Sequence, residues 1–251
     1  MIDLHSHVLP GIDDGARTIG DSRELALHAA AEGITAIAAT PHVRADYPTT
    51  VEQMESGVSS LRADFAEQGI AVEILHGGEI DLVAMAALSD DELRRFTIAQ
   101  SGRYLLVEFP YSGWPLGIEQ QLFDLSLAGI TPILAHPERN AEVQAAPGRL
   151  APIVERGGLV QITAASLDGR VGRRSRKAAA ELIAAGLAHL LASDAHTPQI
   201  REVGLAGALD SLGDDALGHY LTETAPAAIV AGESVPPQPT SRRRRRFLRR
   251  N

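Results

Sequence analysis

The chain has 251 residues, 45% of them hydrophobic and only 4% aromatic. That supports one large core filled by Ala, Leu, Ile and Val, as in a single α/β barrel domain. There is no cysteine, which excludes disulfides, thiolate-bound zinc and thiol nucleophiles. No apolar run approaches the roughly 20 residues of a membrane span, and no charged-then-apolar leader precedes the first strand, so a cytoplasmic protein is expected. The net charge of −9 is uneven. Arg242–Arg246, Arg249 and Arg250 hold seven of the 23 Lys+Arg, and the remaining 16 face 32 acidic residues, a formal charge of −16 for the body. Such a body excludes nonspecific nucleic-acid binding by the main domain.

In chain order, β-like apolar runs fall at 2–5, 34–40, 71–79, 104–109, 131–136, 159–164 and 188–193. Between them lie helical stretches at 21–32, 50–68, 118–128, 150–155 and 175–185. Gly33, Gly69, Gly129, Gly157 and Gly186 follow these stretches as helix stops. The alternation predicts βα units around a parallel sheet, with landmarks roughly 30 residues apart. Ligand-type residues recur at nearly every strand end rather than at one switch point, which favours a seven-stranded barrel over an open doubly wound sheet. From Val235 the rhythm stops: Pro236-Pro237-Gln238-Pro239 leads into SRRRRRFLRRN. The expected organisation is a barrel over 1–234 and a disordered basic tail over 235–251.

The chemistry sits at the strand ends. His5 and His7 are two apart on the first strand and share a face. The later runs end at His42 (TPH), Glu79 (HGGE), Glu108 (LLVEF), His136 (PILAH) and the pair Asp194 and His196 (SDAH). Each could be structural alone, as a surface histidine or a turn carboxylate. Asp13 and Asp14, in the loop PGIDDGA, read equally well as solvated turn caps. Glu108 is the clearest anomaly, because a carboxylate inside YLLVEFP is buried, and buried Glu is rare unless paired or metal-bound. Together these residues predict a multinuclear centre of two or three divalent ions such as Mn, Fe or Zn, with no sulfur ligand to narrow the choice. Such ions lower the pKa of a water and clamp attacking and leaving oxygens, which is hydrolytic chemistry. Arg139 and Arg201 emerge near this rim, and guanidinium forks match phosphate oxygens. His28, His76, His189 and His219 lack the strand-end position and are not taken as ligands.

MIDLHSHVLPGIDDGA, TPH, GGEI, VEFP, AHPER and SDAH, in this order, resemble the PHP (polymerase and histidinol phosphatase) superfamily. The similarity spans roughly 1–234 and is greatest to its bacterial capsule and exopolysaccharide branch of manganese-dependent protein-tyrosine phosphatases. The resemblance implies an α/β fold, a distorted (β/α)7 TIM-like barrel, with a trinuclear metal site at the C-terminal ends of the strands. It implies manganese first, with iron or zinc as alternatives. By the same resemblance His5, His7, Glu79 and Asp194 hold one metal, Glu79 bridges to a second with Glu108 and His136, and Asp14, His42 and His196 take a third. Arg139 and Arg201 correspond to phosphate-binding arginines. The implied substrate is a phosphotyrosine protein, with a bacterial tyrosine kinase as partner. Thr224 stands where members often have Asn, and the Arg-rich tail has no typical counterpart. That tail is either a solvated extension or a contact for anionic membrane or an acidic partner. The same site could serve a small phosphomonoester such as histidinol phosphate or a nucleotide, with Tyr111 and Trp114 as candidate rim residues for an aromatic leaving group. A non-enzymatic adaptor with a structural metal is the remaining alternative, set back by the fact that every expected ligand position is filled.

Overall fold

The computed structural model describes residues 1–197 and 203–239; the Arg-rich tail lies outside the described residues. Ten strands are found among them: β1 (Ile2–Ser6), β2 (Ala36–Ala39), β3 (His42–Arg44), β4 (Tyr47–Pro48), β5 (Glu73–Leu75), β6 (Glu79–Asp81), β7 (Tyr104–Glu108), β8 (Thr131–Ala135), β9 (Leu159–Thr163) and β10 (Leu190–Ala192). Each of the seven expected runs contains at least one strand. All pairings are parallel except the short β3–β4 hairpin. Strand order is β1-β2-β5 in one sheet and β10-β9-β8-β7-β6-β3-β4 in the other.

Two breaks join the sheets. The second run ends at Thr40, and after Pro41, which has no N–H to donate to the ladder, the unexpected short strand β3 begins. The third breaks at His76-Gly77-Gly78, so that β2 pairs β5 below the break and β3 pairs β6 above it. Gly78 is required by space. A Cβ there would lie 2.6 Å from Cδ1 of the buried Phe96. At the other edge no ladder joins β1 to β10 among the described residues; an isolated parallel bridge, Ser6 to Ala195, connects the two ends. Around it His7 N–H donates to the Ala195 carbonyl at 2.8 Å, Asp194 N–H to the His5 carbonyl at 2.9 Å, and Ser193 N–H to the buried Asp3 carboxylate at 3.0 Å. The fold is a mixed α/β arrangement of seven βα units.

Sequence dictates the layers. On β7, Tyr104 and Leu106 join a buried cluster with Ile133 and Ala135 of β8, Leu159 of β9 and Leu190 of β10. The alternate residues Leu105, Val107, Leu134 and Val160 join a larger cluster with helix residues such as Leu25, Leu61, Phe65, Leu122 and Leu182. Burial on both faces explains the continuous apolar runs, and Glu108 shares the face of Tyr104 and Leu106 by the two-residue period. The helices follow the expected stretches. Ile19–Ala31 and Val51–Gln68 each open with a threonine capping box, at Thr18 and Thr50, and Val51–Gln68 ends on Gly69 at φ +66. The basic-tail junction is fastened down: Tyr104 Oη donates to the Glu233 carbonyl at 2.6 Å, Arg103 to the Gly232 carbonyl at 2.8 Å, and Val235 packs against the core.

Phe65 is 2% exposed and joins the helix Val51–Gln68 to the sheet. Phe65→Ala is expected to lower stability by about 3–5 kcal/mol, read as a shifted urea midpoint with an unchanged slope, and to leave metal content per folded molecule as in the parent.

Candidate metal centre

All nine histidines and carboxylates expected as ligands converge at the ends of the strands. Four overlapping sets bring ligand atoms within 4.8 Å of one another: His5, Glu79 and His136; His5, His7 and Asp194; His42, Glu79 and Glu108; and His7, Asp14, His42 and His196. The partition differs in detail from the one the resemblance implies, since Glu108 stands with His42 and Glu79, and His136 with His5 and Glu79. Every member except Asp14 is buried.

Glu79 is the hub. It is fully buried on β6 beside His42 of β3, its register partner. Its Oε1 is 2.8 Å from His136 Nε2. Its Oε2 lies 2.9 Å from His42 Nδ1, 3.3 Å from His7 Nε2 and 3.4 Å from His5 Nε2. Yet neither Glu79 Oε2 nor His42 Nδ1 makes a hydrogen bond. Buried polar atoms left this way cost free energy, and here several nitrogens and oxygens face a common point instead of one another. That donor set suits divalent cations that take nitrogen and oxygen ligands. Burial pushes the Glu79 carboxyl up, and His5, His136 and His42 more than reverse it, holding the group well below the usual carboxylate range. Burial holds His136 down at about 4, despite the neighbouring Glu79 carboxylate. A neutral imidazole and an ionised carboxylate are the forms a metal ion binds.

The next layer of contacts fixes these side chains. Asp13 Oδ2 lies 2.7 Å from His7 Nδ1 and accepts the His42 N–H at 3.0 Å, while its Oδ1 accepts from Gly15 N–H. Of the two loop aspartates, then, Asp14 reaches the cluster, 3.4 Å from His196 Nε2, and Asp13 orients its histidines. Gln161 of β9 was not marked in the sequence. Its Oε1 lies 3.1 Å from His5 Nδ1 and accepts the His136 N–H at 3.1 Å. A glutamine within the apolar run LVQIT is a weaker, uncharged form of the anomaly that Glu108 makes in YLLVEF. Arg44 was also missed. Two residues after His42, it donates to Glu108 Oε1 at 2.9 Å and lies 2.9 Å from Asp46. His136 and Asp194 have φ +36 and +53, unusual for residues other than glycine and a form of strain that gathers at functional sites.

Arg139 donates to Asp194 Oδ2 at 2.8 Å and its guanidinium lies 4.7 Å above the Tyr111 ring, so it borders the cluster as expected. Arg201, the other expected phosphate ligand, lies outside the described residues. His28 and His219 stand apart from the four sets, as do His76 and His189.

A parallel α/β fold carrying a buried cluster of histidines and carboxylates able to hold metal at its strand ends defines the class as a metallohydrolase-type site. The capsular polysaccharide synthesis family CpsB/CapC matches residues 1–224, and the chain belongs to this family. Tyrosine-protein phosphatase YwqE of Bacillus subtilis is 35% identical, covering 97% of this chain and 98% of its own. Putative tyrosine-protein phosphatase CapC of Staphylococcus aureus is 34% identical over 78% of this chain and 77% of its own. Among solved structures, those of YwqE from Bacillus subtilis and CpsB from Streptococcus pneumoniae, described as metal-dependent tyrosine phosphatases, include a chain matching with TM-score 0.84 at 33% identity, over 96% of this chain and 100% of that one.

Gln161→Leu keeps the volume and removes the amide that holds His5 and His136. It is expected to lower metal affinity by about 10–100-fold, measured by calorimetric titration of the metal-stripped protein, with the far-UV circular dichroism unchanged.

Proposed function

We propose that this chain is a metal-dependent phosphatase that hydrolyses phosphotyrosine on proteins in the regulation of capsule or exopolysaccharide synthesis. The observation that carries the reading is the pairing of a buried histidine–carboxylate cluster with an arginine and an aromatic-walled cleft at its edge, in a chain whose relatives are named tyrosine-protein phosphatases. Manganese is the proposed resident ion, with iron or zinc as alternatives, held by His5, His7, Asp14, His42, Glu79, Glu108, His136, Asp194 and His196. When bound, such ions supply an activated water and Lewis acidity toward the phosphoryl oxygens.

The chain's own groups do the rest. Asp13 and Gln161 hold the imidazoles of His7 and His5 in fixed tautomers and orientations. Arg139, anchored by Asp194, offers its remaining N–H groups to phosphoryl oxygens, and Arg201 is proposed to act beside it. In-line attack expels a phenolate whose conjugate acid has a pKa of about 10, a tolerable leaving group without a strong general acid. A tyrosine kinase of the same pathway is the proposed source of substrate, and the cytoplasm the proposed location. No helix among the described residues is long and apolar enough to cross a membrane. For the tail we propose attraction to anionic lipid, about 1 kcal/mol per Arg near the surface.

Protein with added Mn(II) is expected to cleave a phosphotyrosine peptide in preference to histidinol phosphate or a phosphoserine peptide, and a chelator is expected to abolish turnover reversibly. Preference for histidinol phosphate would overturn the substrate assignment. Arg139→Ala is expected to reduce kcat/KM about a hundredfold or more; an unchanged value would remove Arg139 from the mechanism. In vesicle co-sedimentation, the full chain is expected to bind anionic but not neutral vesicles and a chain ending at Val235 neither. Equal binding of both chains would exclude the tail as an anchor.

A further inference from the structure

Beside the cluster lies a cleft of about 670 Å³ that shares Glu108 with it, within the range of small-molecule sites. Its lining includes the aliphatic Leu82 and Val83, the aromatic Tyr111 and Trp114, and the carboxylates Asp46 and Asp81. Arg44 and Glu108, joined at 2.9 Å, lie where it meets the cluster. Val83 is 79% exposed and Tyr111 47%. Apolar and aromatic groups exposed beside buried charges mark a surface built for contact.

The aromatic wall is fixed before any ligand arrives. Asn140, itself buried, donates through its side-chain amide to the Pro110 carbonyl at 2.6 Å and to the Gly113 carbonyl at 2.9 Å. The Tyr111 carbonyl accepts the Ala141 N–H at 3.0 Å. Trp114 packs edge-on against Phe109, lies beneath the Arg149 guanidinium and donates its indole N–H to Glu119. The Tyr111 ring is nearly parallel to the His136 imidazole, 8° between planes at 5.9 Å, and the Arg139 guanidinium lies 4.7 Å above it. Tyr111 therefore lies against a proposed metal ligand and the proposed phosphate ligand and also lines the cleft. A ring held so rigidly loses little conformational freedom when it stacks on a ligand.

We propose that Tyr111 determines specificity in this reaction by packing the substrate's phenol ring in the cleft, so that aryl phosphomonoesters are selected over alkyl ones. The proposal rests on the phosphatase reading above. A phosphate at the cluster edge beside Arg139 places its ester oxygen next to Tyr111, and a ring attached there enters the cleft that Tyr111 lines with Trp114, Leu82 and Val83. A seryl phosphate has a single methylene to offer these surfaces. Aromatic stacking of this kind is worth up to about tenfold in affinity.

The chain has one tryptophan, Trp114, so fluorescence excited in the indole band reports on the cleft alone. The test titrates the manganese-loaded protein with phenylphosphonate and with methylphosphonate, which cannot be hydrolysed. Phenylphosphonate is expected to change the Trp114 emission and to bind more tightly. Tyr111→Ala is expected to raise its Kd about tenfold, to shift methylphosphonate less than twofold, and to cut the phosphotyrosine-to-phosphoserine ratio of kcat/KM by a similar factor. Tyr111→Phe is expected to stay within about threefold of the parent. Tyr111→Leu, which keeps the bulk, covers the case in which the alanine variant does not fold, and is expected to lose the same discrimination. Equal losses for both phosphonates, or none for either, would overturn the proposal while leaving the phosphatase reading intact. Absence of any phosphomonoester turnover by the parent with manganese would instead fail the phosphatase reading itself.

Discussion

The structure turns on one carboxylate. Glu79 is fully buried, and four histidines from three other strand ends stand within 3.4 Å of its two oxygens. Burying such a group without compensation costs several kcal/mol. The fold meets that cost partly with imidazoles and leaves Glu79 Oε2 for something the chain does not contain. Placing it there determines much else: the double glycine that lets β6 pass Phe96, the break at Pro41 that brings His42 into register, and the buried Asp13 and Gln161 that hold the facing rings.

The same constraint shapes the backbone at two other strand ends. His136 and Asp194 take positive φ where β8 and β10 stop, and each turns its side chain toward the cluster from a strand whose last regular residue is buried and apolar. Neither is glycine, so the chain accepts strain of about 1–3 kcal/mol at each to aim a ligand-type side chain. Lower down, the strands have no such conflict. Leu105, Leu106, Leu134 and Val160 are fully buried in regular parallel pairing. Apolar burial is concentrated there, although positive φ also occurs at Ala99 and Gln100 before β7, and Asp3 Oδ2 near the start of β1 also lacks a hydrogen bond.

Much of this was legible in the residues because burial and charge contradict one another so openly in this chain. Glu108 in YLLVEF or His136 in PILAH can be read as a site without coordinates, because apolar neighbours predict burial and burial demands a partner. The seven βα units were equally legible, since strands buried on both faces are continuous apolar runs and glycines end the helices between them. What escaped depends on long-range geometry. Gln161 carries no charge to contradict its neighbours, and its bonds join β9 to β1 and to the end of β8. The roles of Asp13 and Asp14 could not be separated in sequence, because both occupy one turn and only their directions differ. Nor could the change of sheet be seen, since Pro41 and Gly77-Gly78 mark breaks in the sequence but not which strand each new segment pairs with.

The charge arrangement also orders events at the mouth. Asp14, Glu79, Glu108 and Asp194 converge within a few ångströms, and only two arginines among the described residues pair with them: Arg44 with Glu108 and Arg139 with Asp194. Each guanidinium takes one oxygen of its carboxylate, Glu108 Oε1 and Asp194 Oδ2, while the other oxygens, Glu108 Oε2 and Asp194 Oδ1, lie 3.7 Å from His42 Nδ1 and 3.5 Å from His5 Nε2. Among the described residues, two guanidinium groups stand against three buried carboxylates and the exposed Asp14, and divalent ions would add the positive charge that a phosphate dianion needs. Under the phosphatase reading, anion binding is therefore contingent on metal loading, and the arginines complete a phosphate site that they could not form alone. The cleft beyond Tyr111 then has a distinct task. It contributes little attraction for the phosphoryl group, whose charge the centre handles, and acts on what is attached to it.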